Sequence, residues 1–220
     1  MKKNKKGIIG VIVIALCFIV TVSAVALYGE KVSASGLWNS TSYYLLSMES
    51  FDNLSLAREA AFVNQDMGGA GYVLKYGDKY KLIAAVYDSK ADAEKVAGKQ
   101  EDGCEIIEAR LQSFSGLKDW HSDGFEAMNI VSESYAKLSK AIEDIVSEKL
   151  TKEEKYKQAM LVLGSAAAIK QDFIPSDEES EAFYEKLTAA VAYLSNLTES
   201  ELTVADFRFA QVAVVTLFCV

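Results

Sequence analysis

Between residues 43 and 111 the hydrophobic pattern switches between period two and period 3.6, in the order βαββαβ. No run in this stretch is long enough to bury itself, so the chain must collect its strands into one sheet and lay both helices on it. Residues 43–48 (Tyr43, Tyr44, Leu45, Leu46, Ser47, Met48) are dense in side chains that suit a pleated surface. Residues 55–67 place Leu56, Ala60 and Val63 at helical spacing, with Leu54, Ala57 and Ala61 beside them. The glycine cluster at 68–71 ends that helix. Two strand-like runs follow, 72–76 and 79–86, joined by Gly77 and Asp78 as a two-residue hairpin turn. Ser89 is a candidate N-cap for a helix over 90–99, with Asp92 as its acidic capping partner. Gly103 interrupts the chain, and residues 105–111 read as the last strand. The expected product is a four-stranded antiparallel sheet with both helices on one face and the other face open to solvent or ligand.

Alternation divides each strand into two faces. In the first strand Tyr44, Leu46 and Met48 oppose Tyr43, Leu45, Ser47 and Glu49, and in the third Leu82, Ala84 and Val86 oppose Lys81, Ile83 and Ala85.

Two motifs carry a family resemblance. Residues 44–51 (YLLSMESF) resemble the YxVQxGSF opening strand of the SPOR domain, a bacterial wall-binding module, and Ala57 stands where that family has a helix alanine. Residues 80–87 (YKLIAAVY) are similar to its YRVxVGPF strand, with residues 89–93 as the polar cap and alanine. The resemblance implies a ferredoxin-like, SPOR-like fold over residues 42–112. It also implies binding of peptidoglycan glycan strands stripped of stem peptides, at the division or sporulation septum. The resemblance further implies that Leu46 and Met48, with Leu82 and Ala84, lie in the core under the helices, and that Leu45, Ser47, Tyr76, Lys81 and Ile83 lie on the open face as the glycan site. The chain departs from the family at Ser47, Glu49, Ala85 and Val86, which replace the glutamine, the glycine and the Gly-Pro pair of the two motifs. A patch of this kind equally suits packing against another domain. The alternative is thus a structural adaptor that holds another membrane or cell-division protein through the sheet face or the C-terminal helices.

Residues 2–6 hold four lysines, and residues 7–28 carry no charge. About 20 apolar residues cross a bilayer, and lysines before the span predict a cytoplasmic N-terminus. The expected organisation is a basic tail (1–6), a transmembrane anchor (7–28), a spacer (29–41), the SPOR-like domain (42–112) and a helical domain (116–220). Everything after the anchor would be extracytoplasmic. A cleaved signal peptide with Ala24 and Ala26 at its cleavage site is the competing reading. Setting the four lysines aside leaves 19 basic residues against 31 acidic, a formal charge of −12. That balance argues against a nucleic-acid partner, which needs clustered cations.

After Gly116 the pattern turns helical. Thr151 with Glu154, Ser176 with Glu179 and Thr198 with Glu201 form capping-box spacings. They predict helices over about 123–149, 152–171, 177–197 and from 199 or 203 onward, a small bundle. Met128, Val131, Tyr135, Leu138, Ile142 and Ile145 form the inner face of the first. The second is expected to bury Tyr156, Met160, Leu163 and Ala167, and the third Phe183, Leu187, Ala190, Val191 and Leu194. The run 207–218 is apolar except for Arg208, Gln211 and Thr216, so it reads as the most buried helix of the bundle or as a strand-like tail.

Chemistry is sparse. His121 stands alone, without the cysteine cluster that a zinc site needs, and reads as a surface or helix-start residue. Glu126, Glu133, Glu143 and Asp144 match a solvated helix face with Lys137 and Lys140. No cofactor or metal is expected, and no acid/base pair that would make an enzyme can be assembled. Cys104 and Cys219 are either bridged or two buried thiols.

Overall fold

The computed structural model describes residues 41–100, 103–111, 121–198 and 201–220. The predicted anchor, residues 7–28, lies outside the described residues, as do the basic tail, nearly all of the spacer, Cys17 and Trp120. Among the described residues no helix is long and apolar enough to cross a membrane.

The N-terminal part follows the predicted order: β1 (Ser42–Phe51), α1 (Leu54–Asp66), β2 (Tyr72–Tyr76), β3 (Lys79–Tyr87), α2 (Lys90–Ala97) and β4 (Glu105–Arg110). The strands form one antiparallel sheet in the order β2-β3-β1-β4. β2 and β3 meet at the hairpin, where Gly77 takes φ of 59°, a conformation that costs glycine little. Ser89 caps α2, its Oγ accepting from the Asp92 amide. Asn53 caps α1 in the same way through the Ser55 amide.

The inner face of α1 differs from expectation. It buries Ala57, Ala61 and Asn64, while Leu56 and Val63 are more than half exposed. Small residues let the helix backbone settle close to the strands. Asn64 then serves as a clamp, its Oδ1 accepting from the Gly71 amide. A Cβ on Gly69 would lie 2.0 Å from that oxygen, so the loop at 68–71 needs its glycine there.

Beyond the sheet come α3 (His121–Ala127), α4 (Asn129–Val146), α5 (Lys152–Asp172), α6 (Glu178–Ser195), a 3-10 turn at Asn196–Thr198, and α7 (Val204–Cys219). The predicted helix over 123–149 is broken at Met128, and α3 begins at His121, the predicted helix-start residue. Thr151 and Glu154 cap each other as expected. The next box is one residue on, with Asp177 and Ser180 as the reciprocal pair. The last helix starts at Thr203 with Asp206, not at Thr198, which closes the 3-10 turn.

Inner faces of α4 and α6 match their predicted sets, apart from Val191, which is only partly buried. α5 does not. It turns Ala159, Val162 and Ala166 inward and leaves Tyr156, Met160 and Leu161 exposed. As in α1, the closest approach is made by small side chains.

α7 is the most buried helix. Phe207, Val212, Val214, Val215 and Phe218 are at most 1 % exposed. Its polar residues are all engaged. Arg208 Nη1 donates to the Gly68 carbonyl at 2.7 Å, Gln211 Nε2 donates to Ser139 Oγ at 2.6 Å, and Thr216 Oγ1 donates to the Ala213 carbonyl at 3.0 Å. Satisfied in this way, the polar groups avoid the penalty of dry burial.

Candidate functional site

The sheet face expected to be open is the natural place to look for a site, and α7 lies across it. One continuous apolar core joins Tyr43, Leu45, Leu74, Ile83, Val86, Ile107 and Ala109 of the strands to the helices behind them. Tyr43 packs on Tyr135 with ring centroids 5.1 Å apart, and Tyr72 on Phe209 at 5.4 Å. The Asp88 amide donates to Tyr135 Oη at 2.9 Å, tying the end of β3 to α4. The expectation of an open face is therefore corrected: the chain's own bundle covers it.

The five predicted ligand residues do belong to one side of the sheet, but only part of that side reaches solvent. Leu45 and Ile83 are fully buried, and Ser47 is 2 % exposed between Ile83 and Glu105 in the neighbouring strands. Lys81 is mostly covered and forms an ion pair with Glu105. Tyr76 stays half-exposed on the short edge strand.

Alternation held over residues 43–48 of β1, beyond which the pairing skips Met48, and it failed in β3. Leu46 pairs with Ala85, and both face α2 with Tyr87, Ala93 and Val96; Met48 packs against that set. Leu45 pairs with Val86 on the bundle side. The register then slips between Leu46 and Ser47, whose partners are Ala85 and Ile83. A bulge of this kind breaks the period-two rule, so Val86 joins Ile83 under the bundle instead of Leu82 under the helices.

The sheet separates the cysteines. Cys104 packs with Met48 in the α2 layer, Sγ to Sδ 3.6 Å, whereas Cys219 sits in the bundle core, so the two are not bridged to each other. Burial pushes the Cys219 thiol up to about 12. Tyr43 and Tyr135 are likewise shifted upward, first by burial and then by neighbouring groups that include Asp88. The ammonium of Lys186, partly desolvated near Cys219, is shifted down. These are the directions that desolvation gives to thiol, phenol and ammonium groups.

A cleft of about 300 Å³ lies between α3 and the end of α5, lined by Asp123, Glu126, Ala127, Ile169, Asp172 and Phe173. Among the described residues no three His, Cys, Asp or Glu side chains stand close enough to hold a metal ion. Two carboxylates of α4 are paired along the helix, Glu133 with Lys137 at 3.0 Å and Asp144 with Lys140 at 3.3 Å.

Much of the exposed apolar surface among the described residues lies on helix exteriors. On α1 and just after it, Leu56, Phe62, Val63 and Met67 are 46–68 % exposed. On α5 the corresponding residues are Met160 and Leu161. Sequence periodicity assigned several of these to the core because it ranks large side chains above alanine. The uncharged run 158–169 was the available signal that α5 has apolar residues on more than one face.

Comparison of the chain with family models, with curated proteins and with solved structures found no match.

Proposed function

We propose that this chain is a non-enzymatic, membrane-tethered scaffold of the extracytoplasmic space, built on a SPOR-like, ferredoxin-like module whose sheet face is occupied by its own helical bundle. The βαββαβ order with strands arranged β2-β3-β1-β4 supports the module. The basic tail and uncharged segment before residue 29 support the tether. The observation that carries the scaffold reading is the burial of Leu45 and Ile83 in the core shared with the bundle, with Ser47 buried beside them in the sheet. A surface already dried and packed by α7 has no room for a sugar ring, so binding to other proteins falls to the outer helix faces.

The wall-attachment reading keeps one point in its favour, the element order itself. It requires α7 to leave the sheet. The discriminating experiment is pelleting of residues 41–220 with amidase-treated and untreated sacculi. Low and equal retention on both is expected. Selective retention on the amidase-treated, glycan-denuded material would overturn the scaffold reading and restore glycan strands as the ligand.

A further inference from the structure

Helix α5 is apolar in a place where its own fold covers only one side. Residues 158–169 contain no charge, and a helix apolar all round is ordinarily interior to a fold or an assembly. Ala159, Val162 and Ala166 meet the bundle. On the opposite side Leu161 is 62 % and Met160 40 % exposed, and Gly164, Ala167 and Ala168 are exposed with them. A Cβ placed on Gly164 would meet nothing within 4 Å, so packing within the chain does not call for a glycine there.

We infer that this face is an interface between two copies of the chain, with their α5 helices antiparallel across a twofold axis near Gly164. In such an isologous contact the same patch meets itself reversed. Centred on Gly164, the reversal sets Leu161 against Ala167 and Met160 against Ala168. Each large side chain faces a small one, and the two backbones come closest at the glycine. The ends match in charge as well. Lys157 is largely exposed and pairs with the exposed Glu153 in its own helix, at 3.0 Å. Asp172 lines the cleft that also holds Asp123 and Glu126, an excess of negative charge. Antiparallel pairing sets Lys157 of each copy against Gln171 of the other, one residue from its Asp172. Parallel pairing would instead set lysine on lysine and leucine on leucine. The exposed residues of α1 lack this fit, because Glu59 and Asp66 lie among them and would face their own kind. The inference does not depend on the scaffold reading.

The test uses the full chain in membranes, with Cys17, Cys104 and Cys219 replaced by alanine. Gly164→Cys should give a disulfide-linked homodimer on mild oxidation. Met160→Cys and Ala168→Cys should cross-link when co-expressed but not singly, and Phe62→Cys on α1 should not cross-link. In detergent, sedimentation equilibrium should report a dimer. Gly164→Leu, which favours the helix of the single chain, should weaken that dimer at least tenfold with its circular dichroism retained. Lys157→Asp and Asp172→Lys should each weaken it, and the two together should restore it. A monomer at all concentrations without the 164 cross-link would overturn the proposal. So would a dimer indifferent to Gly164→Leu, or cross-links from position 164 to a different protein only.

Discussion

Leu45→Ala separates a covered sheet face from an open one by magnitude alone. The Leu45 side chain is 0 % exposed within the core shared by sheet and bundle. Removing three buried carbons at about 0.8 kcal/mol each forfeits roughly 2.4 kcal/mol of transfer free energy. The cavity left under α7 raises the total to about 3–4 kcal/mol, inside the range of measured leucine truncations. On an open ligand face the same change would cost under about 0.5 kcal/mol. The assay is urea unfolding of residues 41–220 followed at 222 nm, a signal dominated by the bundle helices. With a slope of about 2 kcal/mol/M, the midpoint should fall by about 1.5–2 M at unchanged slope. Because the truncated residue is in the sheet and the signal comes from the helices, the shift also reports that the two unfold together. A midpoint lowered by less than about 0.3 M, or a helical transition that ignores the change, would refute the reasoning.

Other outcomes follow from single contacts. Arg208→Met should destabilise by about 2 kcal/mol, the usual worth of a charged hydrogen bond, since it removes the donor to the Gly68 carbonyl; the same urea titration checks it. Thr203→Ala removes the α7 cap and should cost about 1 kcal/mol, seen as a lower thermal midpoint. Cys219 should resist iodoacetamide at pH 8 until the protein unfolds, because its thiol is held up at about 12. The same shift has a pH signature. A thiol raised from 9.0 to about 12 on folding contributes its full stabilisation below pH 9 and loses it as pH climbs toward 12. Stability should therefore decline through that window, and Cys219→Ala should flatten part of the decline in urea midpoints taken at pH 8, 10 and 11.

The order of elements was legible because each carries a strong local marker. Ser89, Thr151 and the glycine at 77 mark their boundaries through backbone chemistry that involves few residues. Facing was harder. In β3 the bulge beside Ala84 exchanges the sides of Ala85 and Val86, and nothing in a period-two pattern announces a skipped residue. In α1 and α5 the core side is set by how closely a helix can approach its neighbour. Alanine wins that contest over leucine, methionine and phenylalanine although it is the less hydrophobic residue. The cover over the sheet face was illegible for a related reason. The side of β1 that carries Leu45 and Ser47 was correctly grouped, but only a long-range contact with residues near 207–218 decides that it is covered. That contact spans most of the chain and leaves no local trace in either segment.

The placement of α7 has a consequence for how the protein is made. Every strand that this helix covers is synthesised before it, and Arg208 reaches back 140 residues to close on Gly68. Until that helix arrives, the nascent sheet presents Leu45, Ile83 and Ile107 to its surroundings as a bare adhesive plane. A chain interrupted before residue 204 would keep its strands and lose their roof, and its fate would be capture by a chaperone or a protease.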